Sequence, residues 1–438
     1  MNSRTLIPLA VPLLLTAPLT ITLAAHHPSH ATKKPLALHH PALSPLDLST
    51  ATRGFAGHHK LKVNGFISAG FALTNANKPA DYLVPGYGRI NHNPRFASAS
   101  LVGVQLTGSL SPSMSAVVQL LATGEDTNGY RPYRPRVDWA FLRYRSTNDT
   151  QWRVGRMRIP AFLYSQNQEV GATYTPVILP PEVYRVLPFN DFNGIDLTLQ
   201  YPLGDSSWRF SFNPLFGQNT SQFDLYTNDQ HLQHLSALQP FHVPYGTTAT
   251  FDENYLYGAA ATLANDVVTL RGSWLQTQLT MNLPSFVVEI DGALPLAVPA
   301  QARVIDAKTA TFYSAGAALH GQHWQAALEY VHRKAPDTIA SLSGSYGWLG
   351  YHMGKYTPYM GYARLWTTDL AKISGPGSER RQEQESLFAG LNYHLSSALV
   401  AKWGVSYITP RKGTQGLFTP DLTKKHVALF SAQLNVVF

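Results

Sequence analysis

Five arginines stand within sixteen positions of the 438-residue chain: Arg143, Arg145, Arg153, Arg156 and Arg158. The segment that follows, residues 159–190, carries isolated charges at Glu169, Glu182 and Arg185 and is otherwise rich in proline and aromatic residues. Guanidinium groups facing carboxylates across a narrow gap create a transverse field, and a low-dielectric wall lets such a field sort ions by sign. The same arginines have two plainer uses: binding lipid phosphates at a membrane surface, or tying residues 159–190 to the surface they pack on. Arg153 fits the structural role best. Asp191 and Asp196 read equally well as ordinary polar residues of the next element.

No catalytic signature competes for these residues. The sequence lacks G-x-S-x-G, H-E-x-x-H and any phosphate-cradling glycine motif, and it contains no cysteine to serve as nucleophile, disulfide or metal ligand. His320 and His323 flank an expected tight turn at Gly321-Gln322, a poor geometry for a metal pair. The chain therefore implies no cofactor, no metal and no catalytic residues. A hydrolase would need a Ser/His pair assembled by the fold, which spacing neither shows nor forbids.

The elements that must position the arginines emerge from composition and period. Charged residues make up 14% of the chain, against roughly 25% in a soluble domain. Mean hydropathy is nevertheless −0.12, too polar for a bundle of membrane helices. Aromatic residues are plentiful, with 22 Tyr, 20 Phe and 8 Trp, as are the 32 glycines. Such values suit strands whose residues alternate between lipid and water, so that the mean cancels. The alternation is plain near the end of the chain. Ala428, Phe430, Ala432, Leu434, Val436 and Phe438 share one parity, while Ser431, Gln433 and Asn435 share the other.

Period-two segments run over 61–73, 100–110, 113–123, 136–146, 151–158, 191–201, 207–216 and 254–263. They continue over 266–279, 308–319, 322–334, 341–350, 354–367, 384–395, 398–409 and 424–438. Tight joins such as Ser111-Pro112 and Ser396-Ser397 alternate with long ones at 74–99, 124–135, 159–190, 217–253, 280–307, 368–383 and 410–423. That rhythm belongs to an all-β, up-and-down antiparallel transmembrane barrel of about sixteen strands, with short periplasmic turns and long outer loops. A count of eighteen follows if 217–253 or 280–307 hides a hairpin. A circle of sixteen strands is too wide to be filled by wall side chains and leaves an aqueous lumen. The apolar, proline-stiffened segment 159–190 is expected to fold into that lumen and narrow it. On the strand before it, Arg156 and Arg158 share parity with Trp152 and Val154, so sequence leaves open which face turns inward.

Residues 6–25 are apolar after a single basic residue, Arg4, and small residues follow at Ala24-Ala25 and Ser29-His30-Ala31. Pro8, Pro12 and Pro18 interrupt any permanent helix, so 1–25 reads as a secretory signal peptide cleaved between 24 and 31, with an uncleaved anchor as the alternative. Residues 26–59 form a His/Pro-rich periplasmic arm, and 60–438 the barrel. The formal charge of +8, or +7 once Arg4 is removed, mildly favours anionic solutes. No Lys/Arg run with interleaved aromatics supports nucleic-acid binding.

The stretches 101–122, 137–145, 152–174, 180–185 and 192–201 resemble the Gram-negative outer-membrane porins, in particular gammaproteobacterial porin-like proteins related to phosphate- and dicarboxylate-selective porins. The terminal Phe438, with Phe430, Leu434 and Val436 before it, resembles the signal read by the barrel-assembly machinery. The resemblance implies a passive channel for small hydrophilic solutes or ions in the outer membrane, a homotrimer, and a constriction loop at 159–190 that gives Glu169, Glu182 and Arg185 their candidate roles. Arg143, Arg145, Arg156 and Arg158 complete the expected constriction set. The partners so implied are outer-membrane lipids, the permeating solutes and the assembly machinery. The arm at 26–59 lacks the heptads of the coiled coil some relatives carry, and no dense Lys/Arg ladder supports phosphate as the solute. A surface adhesin acting through the long loops is the alternative reading from another class, and a barrel-borne hydrolase a third.

Overall fold

The computed structural model describes residues 61–438 apart from 79, 85–87, 125–132, 225–247, 284–285, 289–295, 299–301, 336–338, 371–380 and 420–421. The expected signal peptide (1–25) and His/Pro-rich arm (26–59) lie outside the described residues. Sixteen strands close one antiparallel barrel. They are β1 (Leu61–Thr74), β2 (Leu101–Ser109), β3 (Met114–Thr123), β4 (Arg136–Arg145), β5 (Thr150–Arg158), β6 (Asp191–Pro202), β7 (Arg209–Asp224) and β8 (Thr248–Ala264). The second half comprises β9 (Val268–Leu283), β10 (Ala302–His320), β11 (Trp324–Lys334), β12 (Ser341–Tyr351), β13 (Tyr356–Asp369), β14 (Gln384–His394), β15 (Leu399–Pro410) and β16 (Val427–Val437).

Each strand pairs with its sequence neighbours, and β1 closes on β16. The final residue seals the seam. Phe438 N–H donates to Gly65 O at 2.9 Å and Gly65 N–H returns a bond to Phe438 O at 2.7 Å. The Phe438 ring lies so close over Gly65 that an added Cβ there would fall 2.3 Å from it. The short turns are closed by their own side chains. Asn265 Oδ1 accepts the N–H groups of Val267 and Val268, and Ser111 Oγ accepts that of Met114.

The period-two reading of faces holds. On β16 the side chains of Phe430, Leu434 and Phe438 are exposed outward, while Ser431, Gln433 and Asn435 are buried inward. Exposed aromatic residues form two levels on the outer face, Tyr144, Trp152, Tyr201, Trp324 and Tyr356 near the short turns and Trp274, Tyr313, Tyr330, Tyr362 and Tyr407 further up. Paired girdles of this kind flank the apolar band of membrane barrels.

Two expectations are corrected. The upper ends of β7–β10 run well beyond the boundaries drawn from sequence, to 224, from 248, to 283 and from 302. Segment 280–307 does contain a hairpin, Phe286–Val288 against Leu296–Val298, but this is a separate two-stranded sheet and the barrel stays at sixteen.

Candidate pore constriction

Residues 159–190 enter the barrel. After β5 the chain turns inward at Ile159, Ala161 and Phe162, all almost fully buried, and returns to β6 through a single helical turn, α1 (Pro181–Tyr184). Pro181 at the first position of α1 suits its fixed φ and missing N–H. Loop backbone polar groups in a lumen need partners, and the far wall supplies them.

The first contacts fall on β9–β12. Ser273 and Ser314 donate to Ala161 O at 2.8 and 2.6 Å, and Arg271 donates to Pro160 O at 3.1 Å. The Glu329 carboxylate accepts Leu163 N–H at 2.6 Å and the hydroxyls of Tyr184 and Tyr346 at 3.3 and 3.1 Å. Arg333 donates to Val186 O at 2.8 Å. Further along, residues Tyr174–Val177 are clasped from four strands. Thr175 donates to Gln325 Oε1 at 2.7 Å, Asn392 donates to Thr175 O at 3.0 Å, and Tyr359 OH accepts Val177 N–H at 3.1 Å. The Lys402 ammonium donates to Tyr174 O and, at 3.3 Å, to Pro176 O, and sits 4.7 Å from the Tyr174 ring centroid. Glycines permit the close passes. A Cβ on Gly171 would fall 2.1 Å from Asn435 Oδ1 of β16, and one on Gly344 of β12 would fall 2.0 Å from Glu182 O. The loop thus crosses the barrel from β5 and makes contacts on each of β9–β16.

The candidate charges are arranged differently from a transverse field. Arg158 meets its carboxylates directly: Nη2 lies 2.8 Å from Asp138 and Nη1 lies 3.3 Å from Glu169, all three side chains being buried. Gln119 completes the network by donating to Asp138 at 3.0 Å. This group ties the loop to β3 and β4. Glu182 is buried in α1 and accepts from Gln384 Nε2 at 2.6 Å and from Ser386 Oγ. Desolvation there pushes its carboxyl above the ordinary Glu value. Arg185 donates to Leu83 O at 3.0 Å. Arg153 pairs with its cross-strand neighbour Asp196, as a structural residue should.

Arg156 is corrected most clearly. It alternates with inward Arg153 and Gly155, stands beside exposed Val154 on the outer face, and pairs with Asp191. Arg143 and Arg145 keep their expected place on the inner parity of β4, opposite the outward Leu142 and Tyr144. Neither has a carboxylate partner among the described residues; Arg143 lies 5.7 Å from the Phe141 ring. The structure therefore brings Arg158 and Glu169 together, seats Glu182 and Arg185 in separate anchors, and leaves Arg143 and Arg145 as inward cations.

Sequence reasoning missed the far-wall participants, and three of them show why. Lys402, Asn392 and Glu329 lie 145 to 228 residues from their loop partners. Their signal was parity alone, polar residues on the inner face of a strand. The first outer loop was also read as surface. It folds in as a hairpin, Tyr82–Val84 with Gly88–Ile90, whose Tyr82 and Ile90 are buried, Tyr82 against the Phe418 ring, and Gln384 links Tyr82 to Glu182.

Several buried polar atoms of the inner wall find no partner among the described residues: Ser211 Oγ, Thr262 Oγ1, Arg143 Nε, Trp348 Nε1, Gln433 Oε1 and Asn435 Nδ2.

No protein-family model matches the sequence, and no curated protein matches it. Solved structures do. The outer membrane channel DcaP of Acinetobacter baumannii is similar over 88% of this chain and 100% of its own, with a TM-score of 0.53 and 9% identity. The anion-selective porin from Comamonas acidovorans is similar over 87% of this chain and 100% of its own, with a TM-score of 0.50 and 11% identity. The trimer form of in-vitro folded OmpT, an outer membrane protein of Vibrio cholerae, is similar over 87% and 99%, with a TM-score of 0.50 and 10% identity. At such identities the likeness is one of fold. The porin resemblance read from residues 100–201 is met at the level of the sixteen-strand barrel.

Proposed function

We propose that this chain is an outer-membrane channel through which small hydrophilic solutes diffuse passively, in a lumen narrowed by residues 159–190. The observation that carries this reading is the clasped loop itself. A polar inner wall encloses a loop held by side chains from the far side, within a barrel whose outer face is apolar and aromatic-belted. In this reading 1–25 is the export signal, 26–59 the periplasmic arm, and Phe430, Leu434, Val436 and Phe438 the assembly signal. Arg143 and Arg145, the inward cations without carboxylates, supply a mild preference for anions, whereas Arg158 and Glu169 neutralise each other.

A homotrimer joined through β1–β3 fits the outer face. There the exposed large hydrophobic residues are aliphatic or Met (Leu61, Val63, Ile67, Val102, Met114, Leu120), while the aromatic girdle is concentrated on the remaining strands. Flat aliphatic surface lacking interfacial anchors suits protein contact better than lipid.

Reconstitution into a planar bilayer tests the reading. Stepwise conductance increments from purified folded protein are expected; a membrane that stays silent over a range of protein concentrations and voltages overturns it.

A further inference from the structure

On the outer face, away from the loop, three strands carry one short pattern in register. Val154-Gly155-Arg156 of β5, Asn193-Gly194-Ile195 of β6 and Phe216-Gly217-Gln218 of β7 pair residue for residue, Gly155 with Gly194 and Gly194 with Gly217. The residues flanking each glycine point outward. The outer surface therefore steps from an apolar row, Val154, Ile195 and Phe216, all exposed, to a polar row, Arg156, Asn193 and Gln218, within one residue repeat. Asn254 and Gln278 border the same space from β8 and β9. The wall is indented here: β8 shifts register against β7 between Ala249 and Leu256 with Tyr255 at φ 50°, and Ala307 of β10 adopts φ 47°. The result is a furrow of about 1090 Å³ lined by both rows.

The furrow offers hydrogen-bonding groups without protein partners. Arg156 uses Nε on Val137 O at 3.1 Å and Nη2 on Asp191, which leaves Nη1 free among the described residues. The carboxamides of Asn193, Gln218, Asn254 and Gln278 make no side-chain bond among the described residues. Carboxamides donate and accept, as sugar hydroxyls do, and a guanidinium fork suits phosphate oxygens. The two rows lie in the half of the barrel nearer the long connectors, where the proposed orientation puts the outer leaflet.

We propose that this furrow binds an outer-leaflet lipid with a phosphorylated sugar headgroup. The phosphate sits on Arg156, sugar hydroxyls meet the carboxamides, and an acyl chain runs down Val154, Ile195 and Phe216. Asp191 is a built-in competitor for the guanidinium, so the site is weaker than an unopposed arginine would make it. The inference rests on outer-membrane placement but not on conductance, so the two fail separately.

Native mass spectrometry of the full-length processed protein, delipidated in detergent and titrated with lipid A, tests it. Wild type is expected to bind lipid A in preference to phosphatidylethanolamine, with excess inorganic phosphate failing to displace it. Arg156→Ala should weaken binding about tenfold, the loss of one charge-assisted contact. Asp191→Asn should strengthen it. Gln218→Leu, which leaves the ion pair alone, should weaken it in case Arg156→Ala misfolds. Equal binding by wild type, Arg156→Ala and Gln218→Leu overturns the proposal. So does complete displacement by phosphate, which marks a simple ion site, or loss of the oligomer in Arg156→Ala with lipid binding intact, which marks a contact between copies.

Discussion

Replacing Lys402 by methionine tests the constriction most directly. The substitution keeps the buried stem of the side chain and removes the ammonium that caps Tyr174 O and Pro176 O. Hydrogen bonds from a charged donor contribute about 1.5–3 kcal/mol each, and a buried carbonyl left bare costs about 1–3 kcal/mol. The two carbonyls share one donor, and Asn392, Gln325 and Tyr359 still hold the neighbouring atoms. A net loss of about 3 kcal/mol from docking of Tyr174–Val177 is therefore expected. That multiplies the undocked population of this stretch roughly a hundredfold, since 1.4 kcal/mol is a factor of ten. Single-channel recording should show larger mean conductance and more frequent transitions between levels. Amide hydrogen exchange over residues 172–178 should accelerate by a similar factor, with the rest of the barrel unchanged. Wild-type exchange over that stretch together with unaltered conductance would falsify the clasp.

Four other outcomes follow from the same geometry. Gly344→Val places carbon against the Glu182 carbonyl, where even a Cβ would stand 2.0 Å away, so α1 should lift from β12 and tryptic cutting at Arg185 should increase; wild-type resistance would refute the close pass. Glu182, buried in the loop, has its carboxyl pushed above the ordinary value of 4.5, so its neutral form is the one the site favours. Its contribution is complete below that ordinary value and is lost as pH rises through the raised folded-state value, so the protection factors of the loop amides should fall as pH rises and Glu182→Gln should flatten that dependence. Arg143→Ala with Arg145→Ala should move the reversal potential under a KCl gradient toward cation preference, whereas Arg158→Ala should chiefly release the loop from Asp138 and Glu169; an unmoved potential in the first pair removes them from selectivity. Deleting Phe438 removes two backbone bonds at the seam and the ring over Gly65, and the yield of heat-modifiable folded barrel should fall severalfold; an unchanged yield denies the seam its role.

How much of this was legible in sequence follows from what each pattern is a response to. Alternation on β16 or β15 reflects a local rule, lipid on one face and the lumen on the other, so parity alone assigns Phe430 outward and Lys402 inward. The rule lapses above the apolar band. On the upper part of β7 outward positions hold Gln218 and Thr220 beside inward Asn219, polar on both faces, and 217–224 reads as loop although it remains in the sheet. Residues 159–190 announced their inward course because an apolar, proline-rich loop makes a poor surface. The pairing of their charges was hidden. Arg158 could face a gap or grip Asp138, twenty residues back, and only closure of β3, β4 and β5 side by side brings Gln119, Asp138, Arg158 and Glu169 into one network.

That hidden pairing changes what the arginine cluster is for. Had the guanidinium groups faced a gap, loop position and selectivity would depend on the same residues, and any substitution would disturb both. The structure divides the work. Arg153 is spent on Asp196, Arg158 on Asp138 and Glu169, and Arg156 on Asp191 outside the barrel. Burying such pairs gains little net stability, but removing one partner strands a charge, so they fix the loop's register more than they strengthen the barrel. In the proposed channel the cations for selectivity are Arg143 and Arg145, which have no carboxylate partner among the described residues and make no bond to the loop. The far-wall clasp uses the opposite economy: Lys402, Asn392 and Tyr359 bind loop backbone, whose carbonyls and amides are the same whatever the loop's side chains. In the proposed channel, lumen-facing side chains of residues 159–190 are therefore replaceable without loss of the backbone bonds that Lys402, Asn392 and Tyr359 make at Tyr174–Val177.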